Sequence, residues 1–201
     1  MTQPLTEVRT YRGYALDPFQ QEAIEHIDRG DSVLVAAPTG TGKTLIADYL
    51  IEQMHRQGRR VVYTAPIKAL SNQKFKEFKR LLGDEAVGIL TGDVVVNPEA
   101  SILIMTTEVF RNLLHQDPER VADVAYAIFD EIHYIDDPER GSVWEESLIF
   151  MPPQMRLLGL SATIPNVEEL AAWISQVHGH PVRVVVHTER AVPLEHHLFE
   201  G

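Results

Sequence analysis

The sequence contains no cysteine. This excludes a disulfide scaffold, a thiolate zinc site and a cysteine nucleophile, and it suits a reducing compartment such as the cytoplasm. Long apolar runs are also missing: none approaches the ~20 residues of a membrane-spanning helix. Met1-Thr2-Gln3-Pro4 lacks the basic region and apolar core of a secretory leader. Cations are scarce, with 18 Lys and Arg against 29 Asp and Glu and a net charge of -11. A chain-wide attraction to nucleic acid is therefore excluded, since phosphate contacts need cations. Internal repeats and low-complexity linkers are absent. What remains is 201 residues, 44% hydrophobic and 23% charged, the balance of one ordinary globular domain.

The few cations are clustered. Arg56, Arg59, Arg60, Lys68, Lys74, Lys76, Lys79 and Arg80 share one stretch, and acids from Asp117 to Glu146 crowd another. Either these are two solvated faces, or a basic surface stands opposite an acidic one.

Short, nearly continuous runs of Val, Ile, Leu and Ala predict strands at Ser32–Ala36, Arg60–Ala65, Ala86–Leu90, Ser101–Met105, Ala125–Phe129, Met155–Leu160 and Val182–His187. Continuity rather than alternation marks strands covered on both faces, as in a parallel sheet. Amphipathic segments predict helices at Asp17–Asp28, Lys43–Gln57, Ile67–Leu82, Thr107–His115, Val143–Phe150 and Asn166–Val177. In the second, Ile46, Leu50 and Met54 stack one turn apart while Asp48 and Glu52 face away. In the last, Asn166 is positioned to cap and Gly179 to stop the helix. Strand–helix alternation implies a three-layer α/β domain with a mostly parallel central sheet. Residues 1–16 and 188–201 fit it least and read as an N-terminal appendage and a C-terminal connector around a domain of residues 17–187. The histidines near the C-terminus lack acidic or sulfur partners at ligand spacing, so they do not point to a metal.

After the Ser32–Ala36 strand comes Ala37-Pro38-Thr39-Gly40-Thr41-Gly42-Lys43-Thr44, then a helix. Strand, glycine-rich loop and helix form the context of a phosphate-binding loop. Ala37 replaces the usual first glycine. Gly40 and Gly42 let backbone N–H groups converge on phosphate oxygens, and the helix N-terminus favours the same anion. Lys43 can then reach the β/γ oxygens of ATP, and the Thr44 hydroxyl can ligate Mg²⁺. A later strand ends in Asp130-Glu131-Ile132-His133. Nucleotide hydrolysis needs a carboxylate for Mg²⁺ and a second group for the attacking water, and Asp130 and Glu131 can supply them in that order.

Asp130-Glu131-Ile132-His133 resembles a DExH box, and Ser161-Ala162-Thr163 resembles the helicase coupling motif. Leu16 to Ile24 is similar to an adenine-reading motif, with Phe19 beside Gln20 at the matching place. Tyr63-Thr64-Ala65-Pro66-Ile67-Lys68-Ala69-Leu70-Ser71-Asn72-Gln73-Lys74 resembles motif Ia of the superkiller-type RNA helicases of superfamily 2. Leu90–Asp93, Thr106–Arg111, Arg140–Glu146, Leu160–Asn166 and Val192–Leu198 resemble further segments of those enzymes. The resemblance runs from about Leu16 to the C-terminus. It implies a RecA-like sheet with the Ser161–Thr163 strand between the two nucleotide-site strands. It also implies that Ser161 and Thr163 sense the γ-phosphate through Asp130 and His133. Single-stranded RNA, with DNA possible, is the implied partner, held by Pro66, Lys68, Thr91, Gly92, Thr106, Thr107 and Arg111. By spacing alone, Ser161 and Thr163 equally suit strand-end caps, and Phe75 and Phe78 suit core positions better than stacking platforms.

Helicases of this superfamily carry a second RecA-like domain with an arginine finger. No second Gly-rich or Arg-rich constellation follows here, so the sequence reads as a fragment whose partner domain lies elsewhere in a parent chain. Alone it is expected to be nearly inactive. Two alternatives stay open: a DNA repair helicase or translocase, and a nucleotide-gated binding module without turnover. A small-molecule kinase lacks counterparts of Ser161–Thr163 and Pro66–Lys74.

Overall fold

The computed structural model describes residues 9–189. Its centre is an eight-stranded sheet, built from β3 (Ser32–Ala36), β4 (Arg60–Ala65), β5 (Val87–Leu90), β6 (Val95–Val96), β7 (Ile102–Thr106), β8 (Val124–Phe129), β9 (Arg156–Ser161) and β10 (Val182–Val186). The order is β10-β3-β9-β8-β4-β7-β5-β6, and only the β5–β6 pair is antiparallel. The expected three-layer α/β architecture is therefore present.

Every strand of the sheet except the exposed edge strand β6 supplies both cores. Val33, Val35, Val61, Tyr63, Ile102 and Ile104 face one side. There they meet α1 (Pro18–Asp28), α2 (Lys43–Arg56) and α3 (Lys68–Leu82) through residues such as Ala23, Leu50 and Phe78. Leu34, Val62, Leu103, Met105, Ala127 and Phe129 face the other side. They pack on α4 (Thr107–Gln116), α5 (Gly141–Phe150) and α6 (Val167–His178) through Phe110, Leu148 and Ile174. This two-sided burial is why the strands read as unbroken apolar runs. Phe78 is core and Phe75 packs against it, as their helical spacing suggests.

Several features differ from the sequence reading. A small antiparallel hairpin, β1 (Thr10–Tyr11) and β2 (Tyr14–Ala15), precedes the sheet. Its two-residue turn has Arg12 and Gly13 at φ 50° and 80°, the left-handed pair that matches strand twist in tight hairpins. Two-residue strands are too short for periodicity to reveal, and β6 escapes for the same reason. The hairpin changes the fate of α2's polar side. Glu52 does not face solvent: it accepts bonds from the Tyr11 hydroxyl at 2.6 Å and Arg12 Nη2 at 2.7 Å, and is 8% exposed. Asp48 accepts from Arg12 Nη1 at 3.3 Å. Asn166 precedes α6 without a side-chain capping bond, whereas Gly179 ends it at φ 71°. Helix α5 begins at Gly141, earlier than expected, where a Cβ would lie 2.2 Å from the Ile135 carbonyl oxygen. The exit segment Val192–Leu198 lies outside the described residues.

Candidate nucleotide and nucleic-acid site

Strand β9 lies between β3 and β8, so the segments following all three strands share one edge of the sheet. After β3 the chain turns through Ala37–Gly42 and enters α2 at Lys43. Gly40 and Gly42 sit at φ 83° and 87°. A Cβ on Gly42 would also stand 2.6 Å from Gln20 Nε2, so glycine there answers two demands. Thr41 is 8% exposed, and its hydroxyl donates to the Pro38 carbonyl at 2.6 Å. Lys43 Nζ donates to the Ala37 carbonyl at 2.5 Å. Burial pulls the Lys43 ammonium below the usual lysine value, while Glu131 and Asp130 oppose that shift.

Gln20 is tied at both ends. Its Oε1 accepts the Asp17 backbone N–H at 2.9 Å, part of a capping box at the start of α1, and its Nε2 donates to the Gly42 carbonyl at 3.0 Å. The amide orientation is thereby set, and the start of α1 is joined to the Ala37–Gly42 loop. Phe19 stacks on His187 with centroids 4.5 Å apart.

At the end of β8 the Asp130 backbone N–H donates to the Thr64 carbonyl at 3.1 Å, and the Tyr63 hydroxyl donates to Asp130 Oδ2 at 2.5 Å. Burial first, then the Asp130 charge, pushes the Tyr63 hydroxyl well above the ordinary tyrosine value, so it remains a donor. Glu131 sits at φ 57°, a left-handed conformation that side chains seldom adopt and that often marks functional turns. His133 Nδ1 accepts the Ala162 backbone N–H at 3.1 Å. In the neutral ring the proton must then be on Nε2, which lies 3.2 Å from Glu131 Oε2. Ser161 closes the ring of contacts, its carbonyl accepting the Ala37 N–H at 3.1 Å. The end of β9 thus touches both the Ala37–Gly42 loop and the acidic segment, through the main chain of Ser161 and Ala162. Thr163 is exposed.

These elements enclose a cleft of about 500 Å³. Thr39, Gly40, Gly42, Lys43, Thr44, Asp130 and Glu131 line it, all of them residues singled out by the sequence. Asp48, Leu70, Gln73, Lys74 and Glu77 line it as well. None of these five was read as a cleft residue, although Leu70, Gln73 and Lys74 lie in the motif Ia segment, because α2 and α3 reach the cleft only after folding. Tyr63 was missed as a functional side chain, though it opens the motif Ia segment.

The proposed strand-contacting residues lie at the ends of β4, β5 and β7. Pro66 follows β4, and Lys68 is the first residue of α3. Lys68 Nζ pairs with Asp93 just past the β5 end. The three threonine side chains expected near phosphates are turned to the fold: Thr91 Oγ1 accepts Val94 N–H at 3.2 Å, Thr106 Oγ1 accepts Val109 N–H at 3.3 Å, and Thr107 Oγ1 donates to Ala65 O at 3.4 Å. Gly92 is exposed beside Lys68. Arg111 is half-buried on α4, 3.8 Å from Glu146 of α5.

The DEAD/DEAH box helicase family matches residues 17–170. The chain is 50% identical over 98% of its length to the ATP-dependent RNA helicase mtr4 of Schizosaccharomyces pombe, of which it spans 17%. It is 51% identical over 92% of its length to superkiller complex protein 2 of Homo sapiens, spanning 15% of that protein. The antiviral helicase SKI2 of Saccharomyces cerevisiae is 47% identical over 92% of the chain, which covers 14% of it. Among solved structures, the Mycobacterium smegmatis helicase Lhr bound to single-stranded DNA and AMP-PNP superposes with a TM-score of 0.73. That match has 29% identity and covers 88% of this chain and 26% of that one.

Proposed function

The chain belongs to the DEAD/DEAH box helicase family, and from that premise we propose that it is the ATP-binding part of an ATP-dependent RNA helicase. In this reading it couples ATP hydrolysis to movement along single-stranded RNA. One observation carries the proposal: the phosphate loop and the Asp130-Glu131 pair line one cleft, and the Ser161–Thr163 segment bonds to Ala37 of that loop and to His133 beside the pair. Lys43 would exchange its bond to Ala37 for the β/γ oxygens of ATP. Phe19 and Gln20 would hold the adenine, and Glu131 would orient and polarise the attacking water. The oxygen donors Thr44 and Asp130 suit a hard cation, so Mg²⁺ fits them; when bound, it neutralises charge developing on the phosphates. His133 and Ala162 would transmit a change at Glu131 to the Ser161–Thr163 segment, a reading supported by the Ala162 N–H bond to His133 Nδ1 and by Nε2 lying 3.2 Å from Glu131 Oε2.

RNA is favoured because one relative, 50% identical to this chain, carries the name ATP-dependent RNA helicase mtr4. The same backbone contacts would serve DNA, since none of them addresses a 2′-hydroxyl. The chain spans 14–17% of these three relatives, so the proposal includes a second RecA-like domain of a longer parent chain as partner. Action in the cytoplasm fits a chain without cysteine. Among the described residues no helix is long and apolar enough to cross a membrane.

The test is ATP hydrolysis by a chain that includes the second domain, with RNA and DNA strands of one sequence as stimulants. RNA-stimulated turnover is the expected result. Failure of this chain to show any thermal shift with millimolar Mg-ADP would sink the reading of the cleft.

A further inference from the structure

We propose that Tyr63 is a positioning residue for the metal-holding carboxylate, its hydroxyl holding Asp130 in the orientation that receives Mg²⁺. The inference deepens the reading above and rests on it. Tyr63 is fully buried in β4, with 0% exposure, and its ring belongs to the α1–α2–α3 core. Phenylalanine would fill that space equally well. The hydroxyl is therefore the only part of the side chain that core packing leaves unexplained, and a buried hydroxyl requires a partner. Its partner is Asp130 Oδ2, at the rim of the nucleotide cleft. With Oδ2 engaged, Oδ1 is the oxygen left to address the cleft. The main chain adds a second grip, from Asp130 N–H to the Thr64 carbonyl at 3.1 Å. Strand β4 thus holds Asp130 by both its backbone and its side chain.

The ring is held in turn. Phe78 of α3 meets it edge-on, with centroids 6.0 Å apart and planes at 60°. Helix α3 begins at Lys68, two residues past Pro66, so the element that would grip a phosphate chain also wedges the tyrosine that orients Asp130. Partners that orient a metal-binding carboxylate commonly contribute about 10–100-fold to metal affinity. Tyr63 has that geometry without touching nucleotide or metal.

The experiment is a fluorescence titration of this chain with a labelled ATP analogue, in Mg²⁺ series and in EDTA. The set is wild type, Tyr63→Phe, Asp130→Asn and the double variant. Tyr63→Phe should raise the Mg²⁺ concentration for half-maximal nucleotide binding by about tenfold. Affinity in EDTA should not change, and adding Tyr63→Phe to Asp130→Asn should do nothing more. Equal losses with and without Mg²⁺ would show a structural role and overturn the proposal. So would an unchanged Mg²⁺ requirement in Tyr63→Phe while Asp130→Asn raises it. If Asp130→Asn itself leaves the requirement unchanged, the metal reading fails and the inference falls with it. Should Tyr63→Phe fail to fold, Phe78→Leu replaces it: a smaller Mg²⁺-specific loss supports the proposal, and none overturns it.

Discussion

On the β3–β9–β8 side of the sheet, the segments around the cleft are cross-linked to one another. Ala37 bonds to Ser161, Ala162 to His133, and Gln20 to Gly42. On the β4–β7–β5 side, the threonines that end the strands bond mostly within their own turns, and Lys68 is occupied by Asp93. One half is a pocket whose parts are bonded to one another. The other is a row of strand ends, which would offer exposed backbone and two paired cations, Lys68 and Arg111, to a ligand running past it. Electrostatics sharpens the contrast, because a chain with net charge -11 gives no general attraction to a polyanion. Tight, specific binding is therefore expected of the first half, and weak, salt-sensitive binding of the second.

The largest expected effect breaks the pocket's completeness. In phosphoryl transfer an arginine finger contributes about 10³–10⁵ in rate. This chain alone should therefore hydrolyse ATP that much more slowly than one including the second domain. Glu131→Gln in the longer chain should abolish turnover while nucleotide binding persists, measured by phosphate release and equilibrium titration. Turnover near one per second by the isolated chain, stimulated by RNA, would contradict the proposed division of labour.

Next comes nucleotide binding itself. A ligand at 100 times its dissociation constant should stabilise the fold by about 2.7 kcal/mol. Lys43→Ala should remove that stabilisation, read as a lost thermal shift with Mg-ADP. Smaller again is the loop's own strain. Gly42→Ala puts a side chain at φ 87° and 2.6 Å from Gln20 Nε2. It should cost about 1–3 kcal/mol of stability, measured by denaturant unfolding without ligand.

The smallest effect belongs to the other half. Asp93→Asn should free Lys68 and tighten single-stranded RNA binding. Lys68→Ala should lower the slope of log affinity against log salt by about 0.7, the contribution of one phosphate on a single strand. Parallel titrations at two salt concentrations decide it, and nanomolar binding independent of salt would overturn the comparison.

The nucleotide half was legible because its chemistry is contiguous. A phosphate loop needs its glycines, lysine and threonine in one run between a strand and a helix, and Ala37–Thr44 meets that requirement. Asp130 and Glu131 were legible as neighbours at a strand end. The strands themselves were legible because burial on both faces leaves an unbroken apolar run, as in Val124–Phe129. Other parts required long-range neighbours. Glu52 looks like an outward helical acid until Tyr11 and Arg12 close over it from positions about forty residues away. Tyr63 looks like one more apolar strand residue until its hydroxyl meets Asp130.

The sequence by itself determined which residues form the loop proposed to hold phosphate, because Ala37–Thr44 follow one another along the chain and local geometry brings them together. Only the tertiary structure decided how that site is wired. Strand order put β9 between β3 and β8, which let Ser161 and Ala162 touch both loops through backbone atoms that every residue but proline possesses. It also decided that Thr91, Thr106 and Thr107 turn their hydroxyls to the fold. A backbone N–H or a hydroxyl carries no signature of its partner in the sequence, because that partner is chosen by which chain ends packing brings within about 3 Å.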